Sequence, residues 1–268
     1  MKTKYELLCS LKVIEFEIAE LARYSKECDE CYELLKRKLD DLCVFIKSEE
    51  NDLKWNEWGS IQEIQDLSER LRETSVSALC DMEKYQSKKA DQNVLTVGSY
   101  LASLAQSARY EYNYFGIHKH SSVLFIGSGA FPTTAFTIAQ ETGANVICLD
   151  FDGEAVILSR KLAHTFGLEA KVSFLQSEIQ DFSEFENITH VFIASLVKNK
   201  LEVIEELKEK VTKKTKVIVR FGNGLKSLFN YPLVENITGN WQQTQMKLEG
   251  NETIYETIVL EKQSRVLA

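Results

Sequence analysis

In the first 131 residues apolar side chains recur every three or four positions: Leu7, Leu8, Leu11, Ile14, Ile18 and Leu21, then Leu34, Leu35, Leu39, Leu42, Phe45 and Ile46. That spacing returns to one face of a helix of 3.6 residues per turn, and the stretch contains no proline, so it predicts a bundle of helices. A further helix is expected through Ile61, Ile64, Leu67 and Leu71 to about Met82, where the apolar periodicity stops. Another is expected from about Val97 to Phe115, with Gly116 as its stop. Trp55 and Trp58 flank a corner at Gly59 and read as packing of that corner onto the bundle.

After residue 122 the pattern changes. Apolar runs at 123–126, 146–149, 172–175, 191–194 and 216–221 are short enough to be strands, and they alternate with helical stretches after Pro132 and at 153–166 and 200–210. Strands that are apolar on both faces and alternate with helices form a parallel sheet with right-handed crossovers. The end of the chain differs: residues 243–248 and 253–261 alternate in polarity around Glu249-Gly250-Asn251, which predicts an antiparallel hairpin on the sheet edge. The expected division is a helical domain over 1–118 and a sheet domain over 119–268, joined near 118–121.

Chemistry concentrates where the first strand breaks into Gly127-Ser128-Gly129. Glycines there let the chain turn sharply and bring backbone N–H groups close to a ligand. Asp150 ends the second strand 21 residues after Gly129, where a nucleotide-binding βαβ unit carries its ribose-binding acid. The third glycine of a dinucleotide fingerprint is replaced by Pro132, so a nucleoside without a diphosphate fits better, and S-adenosylmethionine is the candidate. Read alone, an acid at a strand end also serves simply as a helix cap. The fold class is therefore expected to be α/β: a Rossmann-like S-adenosylmethionine-dependent fold, mostly parallel with a C-terminal antiparallel hairpin, preceded by an α-helical bundle.

Composition narrows the partners. With 268 residues, 44% of them hydrophobic and 27% charged, the chain can build a full core in two domains. A net charge of −8 and a pI near 5.3 argue against nucleic acid or an anionic membrane as the main partner and favour small molecules. The N-terminal segment interrupts its apolar residues with charges and no run approaches 18 apolar residues, so a cytoplasmic protein is expected. Cys28 and Cys31 form a lone C-x-x-C in a charged helical pattern, and the six cysteines read as reduced thiols. His118, His120, His164 and His190 show no ligand spacing, so no metal is expected.

Several blocks in order then resemble one family. These are Tyr100 with Glu111 eleven residues on in RYEYN, FIGSGAFP over 125–132, DFD over 150–152, VFIASLV over 191–197 and RFGNGLKSLFNYP over 220–232. Together they resemble the nicotianamine synthases and their bacterial relatives, the staphylopine-type opine metallophore synthases. The likeness spans about residues 97–232; the first 95 residues match no motif. Asn223 and Lys226 stand where the plant pattern has His and Arg, and one extra residue precedes Tyr231-Pro232, which favours the bacterial, single-transfer type.

The resemblance implies transfer of the 3-amino-3-carboxypropyl (aminobutyrate) arm of S-adenosylmethionine to an amine, with release of methylthioadenosine. The acceptor it implies is the α-amino group of histidine, D-histidine favoured, in metallophore biosynthesis; a homodimer is compatible with it. It implies Glu111 as general base, with Tyr100 orienting the reacting groups. For S-adenosylmethionine it implies Gly127, Ser128, Gly129 and Phe131, with Asp150 on the ribose, Phe151 against the adenine, Glu178 on the adenine amino group, and Ser177, Ala194 and Leu196 lining the site. Asp152, Arg220, Asn223 and Lys226 are implied to hold the acceptor. From the residues alone, Glu111 also reads as a surface partner of Arg109 or Lys119, Tyr100 as core, and Asp152 and Glu178 as acids that begin helices. The glycine loop and Asp150 equally suit a small-molecule methyltransferase, which would release S-adenosylhomocysteine instead.

Overall fold

The computed structural model describes residues 1–90, 99–233, 237, 241–246 and 253–263. Five helices come first: α1 (Lys2–Tyr24), α2 (Cys31–Lys47), α3 (Glu49–Trp58), α4 (Gln62–Lys89) and α5 (Ser99–Phe115). The apolar spacings bury as expected: Leu7, Leu11 and Ile18 of α1 meet Leu35, Leu39, Leu42 and Ile46 of α2 and the stripe Ile64, Leu67, Leu71 of α4. Ser48 starts α3 by accepting from Asn51 N, and Gly59 ends it so close to Trp55 that a side chain there would collide with the indole. Trp55 is buried, so this corner is packing, as its composition suggested.

Helix α4 runs seven residues beyond Met82, where the apolar stripe gives way to buried Glu83 and Ser87. Polar residues thus continue the inward face, and periodicity of apolar residues could not mark it. The stretch expected to start α5 near Val97, and the hairpin turn at 249–251, lie outside the described residues.

The remaining elements are β1 (Ser122–Ile126), α6 (Thr133–Thr142), β2 (Asn145–Asp150), α7 (Gly153–Thr165), β3 (Val172–Gln176), β4 (His190–Ile193), α8 (Lys200–Lys210), β5 (Lys216–Phe221), a 3₁₀ turn (Gly224–Leu228), β6 (Trp241–Met246) and β7 (Glu256–Lys262). They form one seven-stranded sheet in the order β3-β2-β1-β4-β5-β7-β6. The first five strands are parallel; β7 pairs antiparallel with β5 and β6 with β7.

Alternate residues of β1 enter two cores. Val123 and Phe125 join a cluster continuous with the helices of residues 1–115, while Leu124 and Ile126 pack with Ile204 and Leu207 of α8 on the other face. The expected boundary near residue 118 falls in the loop between α5 and β1. There the Phe115 carbonyl accepts from His190 Nε2 at 3.2 Å and Lys216 Nζ at 2.9 Å, and burial pulls His190 down to about 4, so the ring is neutral. Among the described residues no helix is long and apolar enough to cross a membrane.

Chain order reverses between β1 and β4, which lie side by side. In an open parallel sheet the crevice at such a switch point, outside the carboxyl ends of the strands, is where ligands bind.

Candidate active site

A cavity of about 580 Å³ opens at that switch point, within the usual size for a small-molecule site. It crosses the carboxyl edge of the sheet, from Ser177 and Glu178 beyond β3, past Asp150, Phe151 and Asp152 beyond β2 and the glycine turn beyond β1, to Ala194 and Leu196 beyond β4 and Arg220 and Tyr231 on the β5 side. Its roof is α4. Val76, Cys80, Glu83 and Lys84 follow one another at helical spacings of four, three and one, so a single face of α4 covers the strand ends.

The glycine turn is held by its neighbours on all sides. Gly127 and Gly129 have φ of 77° and 69°, the left-handed region that favours glycine. A Cβ on Gly127 would lie 2.6 Å from Val197 Cγ2, and one on Gly129 would strike the Glu83 carboxylate. Ser159 Oγ donates to the Gly129 carbonyl at 2.8 Å and Ser87 Oγ to the Ala130 carbonyl at 2.7 Å, which fixes the loop from α7 and α4 at once. Gly129→Ala is therefore expected to displace Glu83 as well as strain the turn, at about 1–3 kcal/mol for the backbone alone. Calorimetric titration should show S-adenosylmethionine affinity falling at least about tenfold.

Asp150 accepts from Gly129 N at 2.8 Å and Asp152 N at 3.0 Å, and burial raises its carboxyl despite those bonds. Asp152 caps α7 through Glu154 N and Ala155 N and pairs with Lys84 Nζ at 2.6 Å, so it begins the helix and faces the cavity together. Phe151 stands on the rim, 77% exposed, free to cover a planar group. Ser128 lines the cavity wall, with its Oγ turned inward beside the buried Cys148 thiol.

The main departure from expectation concerns Glu111. It lies on the face of α5 that carries Tyr100, as its spacing predicts, but it is 1% exposed and is not among the residues that line the cavity. Its Oε1 accepts from Arg220 Nε at 3.1 Å and Thr257 Oγ1 at 3.0 Å, and Arg220 Nη2 pairs with Oε2. Both oxygens are thus committed to structure behind the wall. Neither of the surface partners considered from sequence applies: Arg109 instead holds Glu141. Arg220 does reach the cavity, and Thr134 Oγ1 accepts from its Nη1 at 3.0 Å.

Asn223 and Lys226 also part from the expected set. Asn223 Oδ1 accepts from Leu233 N, and Lys226 Nζ donates to Thr253 Oγ1 at 3.3 Å; neither lines the cavity. The 3₁₀ turn carries them beneath α3 and α4 instead. Tyr100 does line it, buried, with its ring edge-on to Phe229 at 5.5 Å between centroids. Burial, and then the neighbouring Glu83, push its phenol up.

Glu83 is the group that periodicity did not single out. It is buried at the centre of the roof, beside Tyr100 and Asp150. Burial, then the Asp150 charge, push its carboxyl up to about 8, against hydrogen bonds from the Phe131 and Ala130 backbone. A carboxyl in that range can exchange a proton with an amine near neutral pH. Among the described residues, no group of three or more His, Cys, Asp or Glu is placed to hold a metal ion.

The sequence profile described as Nicotianamine synthase protein matches residues 10–267. The chain belongs to this family. Within it, the chain is 37% identical over 265 residues to an L-histidine 2-aminobutanoyltransferase of Pseudomonas aeruginosa (strain UCBPP-PA14), covering 99% of this chain and 100% of that protein. An L-histidine 2-aminobutanoyltransferase of Yersinia pestis is 30% identical over 259 residues, 96% of each chain.

Solved structures extend the likeness to the fold. MtNAS in complex with MTA and tNA superposes with a TM-score of 0.82 over 96% of this chain and 98% of that one, at 15% identity. A putative S-adenosyl-L-methionine-dependent methyltransferase from Methanococcus maripaludis gives 0.53 over 72% of this chain and 96% of that one, at 14% identity. The fold is thus the mostly parallel α/β sheet with an antiparallel end that the alternation of strands and helices and the C-terminal hairpin predicted, with helices placed over its carboxyl edge.

Proposed function

We propose that this enzyme transfers the aminobutyrate arm of S-adenosylmethionine to the α-amino group of histidine and releases methylthioadenosine, with Glu83 as the general base. The observation that carries the catalytic assignment is one buried carboxyl with a raised pKa on the cavity roof, beside the glycine turn and Tyr100. Family membership and the two named relatives support the reaction class.

The sulfonium of S-adenosylmethionine activates both its methyl carbon and the first carbon of the aminobutyrate arm. The carbon that lies in line with the amine reacts, so the outcome depends on positioning. The amine nitrogen forms a bond to the aminobutyrate carbon, the carbon–sulfur bond breaks, and its electron pair stays on sulfur as a neutral thioether. The proton released from the amine goes to Glu83. An empty cavity favours the neutral carboxyl, but a sulfonium and an ammonium bring two positive charges beside it and draw it back to the ionised form. Burial thus keeps the base in the working range, and substrate arrival arms it.

Asp150 suits the ribose hydroxyls, Phe151 the adenine face, and Glu178, with Ser177 beside it, the adenine edge. Gly127, Ser128, Gly129 and Phe131 surround the methionine part, with Ala194 and Leu196 opposite. Arg220 retains N–H groups beyond those given to Glu111 and Thr134, which suit a substrate carboxylate. Asp152 with Lys84 forms an adjacent charged pair on the wall. Glu111 holds Arg220 in place, a positioning role in place of the base assigned from the family pattern.

The family pattern inclines the acceptor towards D-histidine, whereas both relatives carry L-histidine in their names. We therefore place L-histidine first. Incubation of the purified protein with S-adenosylmethionine and either enantiomer, followed by chromatography and mass spectrometry, tests this: methylthioadenosine and an aminobutyrate adduct should form with L-histidine. S-adenosylhomocysteine would assign the cavity to methyl transfer, and turnover with D-histidine alone would reverse the enantiomer.

A further inference from the structure

Lys200 is 1% exposed at the first position of α8, just behind the loop 194–199 that walls the cavity. Its Nζ donates to the Ser195 carbonyl at 2.8 Å and the Val197 carbonyl at 2.6 Å, and no described carboxylate forms an ion pair with it. A buried ammonium with only carbonyl partners is costly, and a methionine or leucine would fill the same space without the charge. The cost has to be set against what those two bonds hold.

They hold a junction. The Ser195 carbonyl also accepts from Tyr231 N at 3.1 Å, so Lys200 and Tyr231 meet on one oxygen. The Tyr231 hydroxyl donates to Glu73 of the roof helix at 3.0 Å, and Lys198 Nζ pairs with the same carboxylate at 2.9 Å. Val197, the second residue gripped, packs against the glycine turn. The ammonium therefore pins the loop after β4 at two carbonyls, and one of these, Ser195, in turn holds the tail of β5 and, through Tyr231, α4. In strand order this is the end of the cavity away from Asp150 and Ser177, the half left for the acceptor once a nucleoside lies across β1, β2 and β3.

We propose that Lys200 is a positioning residue for the acceptor half of the cavity, gripping the Ser195 and Val197 carbonyls so that the loop 194–199 and Tyr231 present a fixed wall to the incoming amine. The proposal rests on the aminobutyrate-transfer reading above. It differs from a packing role because the ammonium, and not the volume, does the gripping. Groups of charge facing the site are Arg72 and Glu73 from α4, Lys198 from the loop and Tyr231 from the β5 tail. The Arg72, Lys198 and Lys200 cations each stand 5.6 Å from the Tyr231 ring centre. Burial, then the Arg72 charge, pull Lys200 down to about 7, so part of its population is neutral at ordinary pH and grips less firmly.

The linkage has a definite sign. Unfolded, the amine keeps its proton up to about 10.5, and folded it gives the proton up near 7. The burial cost is thus fully present below pH 7 and is relieved as pH rises towards 10.5.

The test compares wild type with K200M and K200Q, using S-adenosylmethionine and histidine as substrates. In K200M the Michaelis constant for histidine should rise at least about tenfold while kcat falls less and the S-adenosylmethionine dissociation constant stays within about threefold. Its melting temperature should equal or exceed that of wild type, with the largest advantage below pH 7. K200R, which keeps charge and donors, should recover part of the histidine affinity. An unchanged histidine constant in folded K200M overturns the proposal, as does an equal loss for both substrates or no recovery in K200R. Failure of both K200M and K200Q to fold overturns it too, by making Lys200 a requirement of the fold. Wild-type protein that forms no methylthioadenosine with histidine would instead defeat the transfer reading itself.

Discussion

Glu83→Gln is expected to bind S-adenosylmethionine as wild type does and to release methylthioadenosine at least about 100-fold more slowly, the usual scale for loss of a general base. Gln keeps the shape and the ability to accept from the Phe131 and Ala130 backbone, so the glycine turn keeps its support. What it loses is the proton acceptor. The same variant carries a stability signature. The free carboxyl ionises near 4.5 and the folded one near 8, so the folded state holds the extra proton between those values and wild-type stability falls as pH rises through that window. Gln has no such dependence. Calorimetry should show the variant gaining on wild type between pH 5 and pH 8.5. A variant that is slower and relatively more stable at high pH identifies a strained functional carboxyl; near-normal turnover would remove Glu83 from the role.

Arg220→Met is expected to be the most damaging single change to the fold. It leaves the Glu111 carboxylate buried beside Thr257 and Tyr255 in place of its cation, and breaking a buried pair costs about 3–5 kcal/mol, a fall in melting temperature on the order of 10 °C. Adding Glu111→Leu should restore much of the melting temperature, since an apolar pair of similar volume often replaces a buried ion pair without loss. Activity should not return with it, because Arg220 also faces the cavity. Recovery of turnover in the double variant would show that the pair serves the fold alone.

The sheet was legible because its strands are apolar runs of fixed length between turns. α8 and β5 fall on the residues expected, and β1, β2, β3 and β4 differ by one residue at one or both ends. The glycine turn and Asp150 were legible because their chemistry requires those residue types at that spacing, and the structure brings Gly127, Ser128, Gly129, Phe131, Asp150, Phe151, Asp152, Ser177, Glu178, Ala194, Leu196, Arg220 and Tyr100 to one cavity. The roof was not. Glu83 lies one residue past the point where the apolar stripe of α4 stops, and a buried acid on a helix looks like a solvated one until its neighbours are known. The signal available was continuity: no glycine or proline follows Met82 until well past Lys89, so the helix had no reason to end there.

Glu111 lies apart from the cavity for the complementary reason. Its spacing from Tyr100 does place both on one face of α5, but the face is wide enough to point one residue at the cavity and the other at β5 and β7 behind it. Likewise, Asn223 and Lys226 follow Arg220 closely in sequence, yet the 3₁₀ turn after β5 takes them to the far side of the wall. Proximity in sequence stops informing at the first tight turn.

The most direct measurement follows two isotopic labels in one incubation: S-adenosylmethionine carrying one label in its methyl group and another in its aminobutyrate arm, with histidine as acceptor. The account predicts that the aminobutyrate label appears in the histidine product and the methyl label leaves in methylthioadenosine. A methyl label on the histidine product, with the arm retained in S-adenosylhomocysteine, would contradict it.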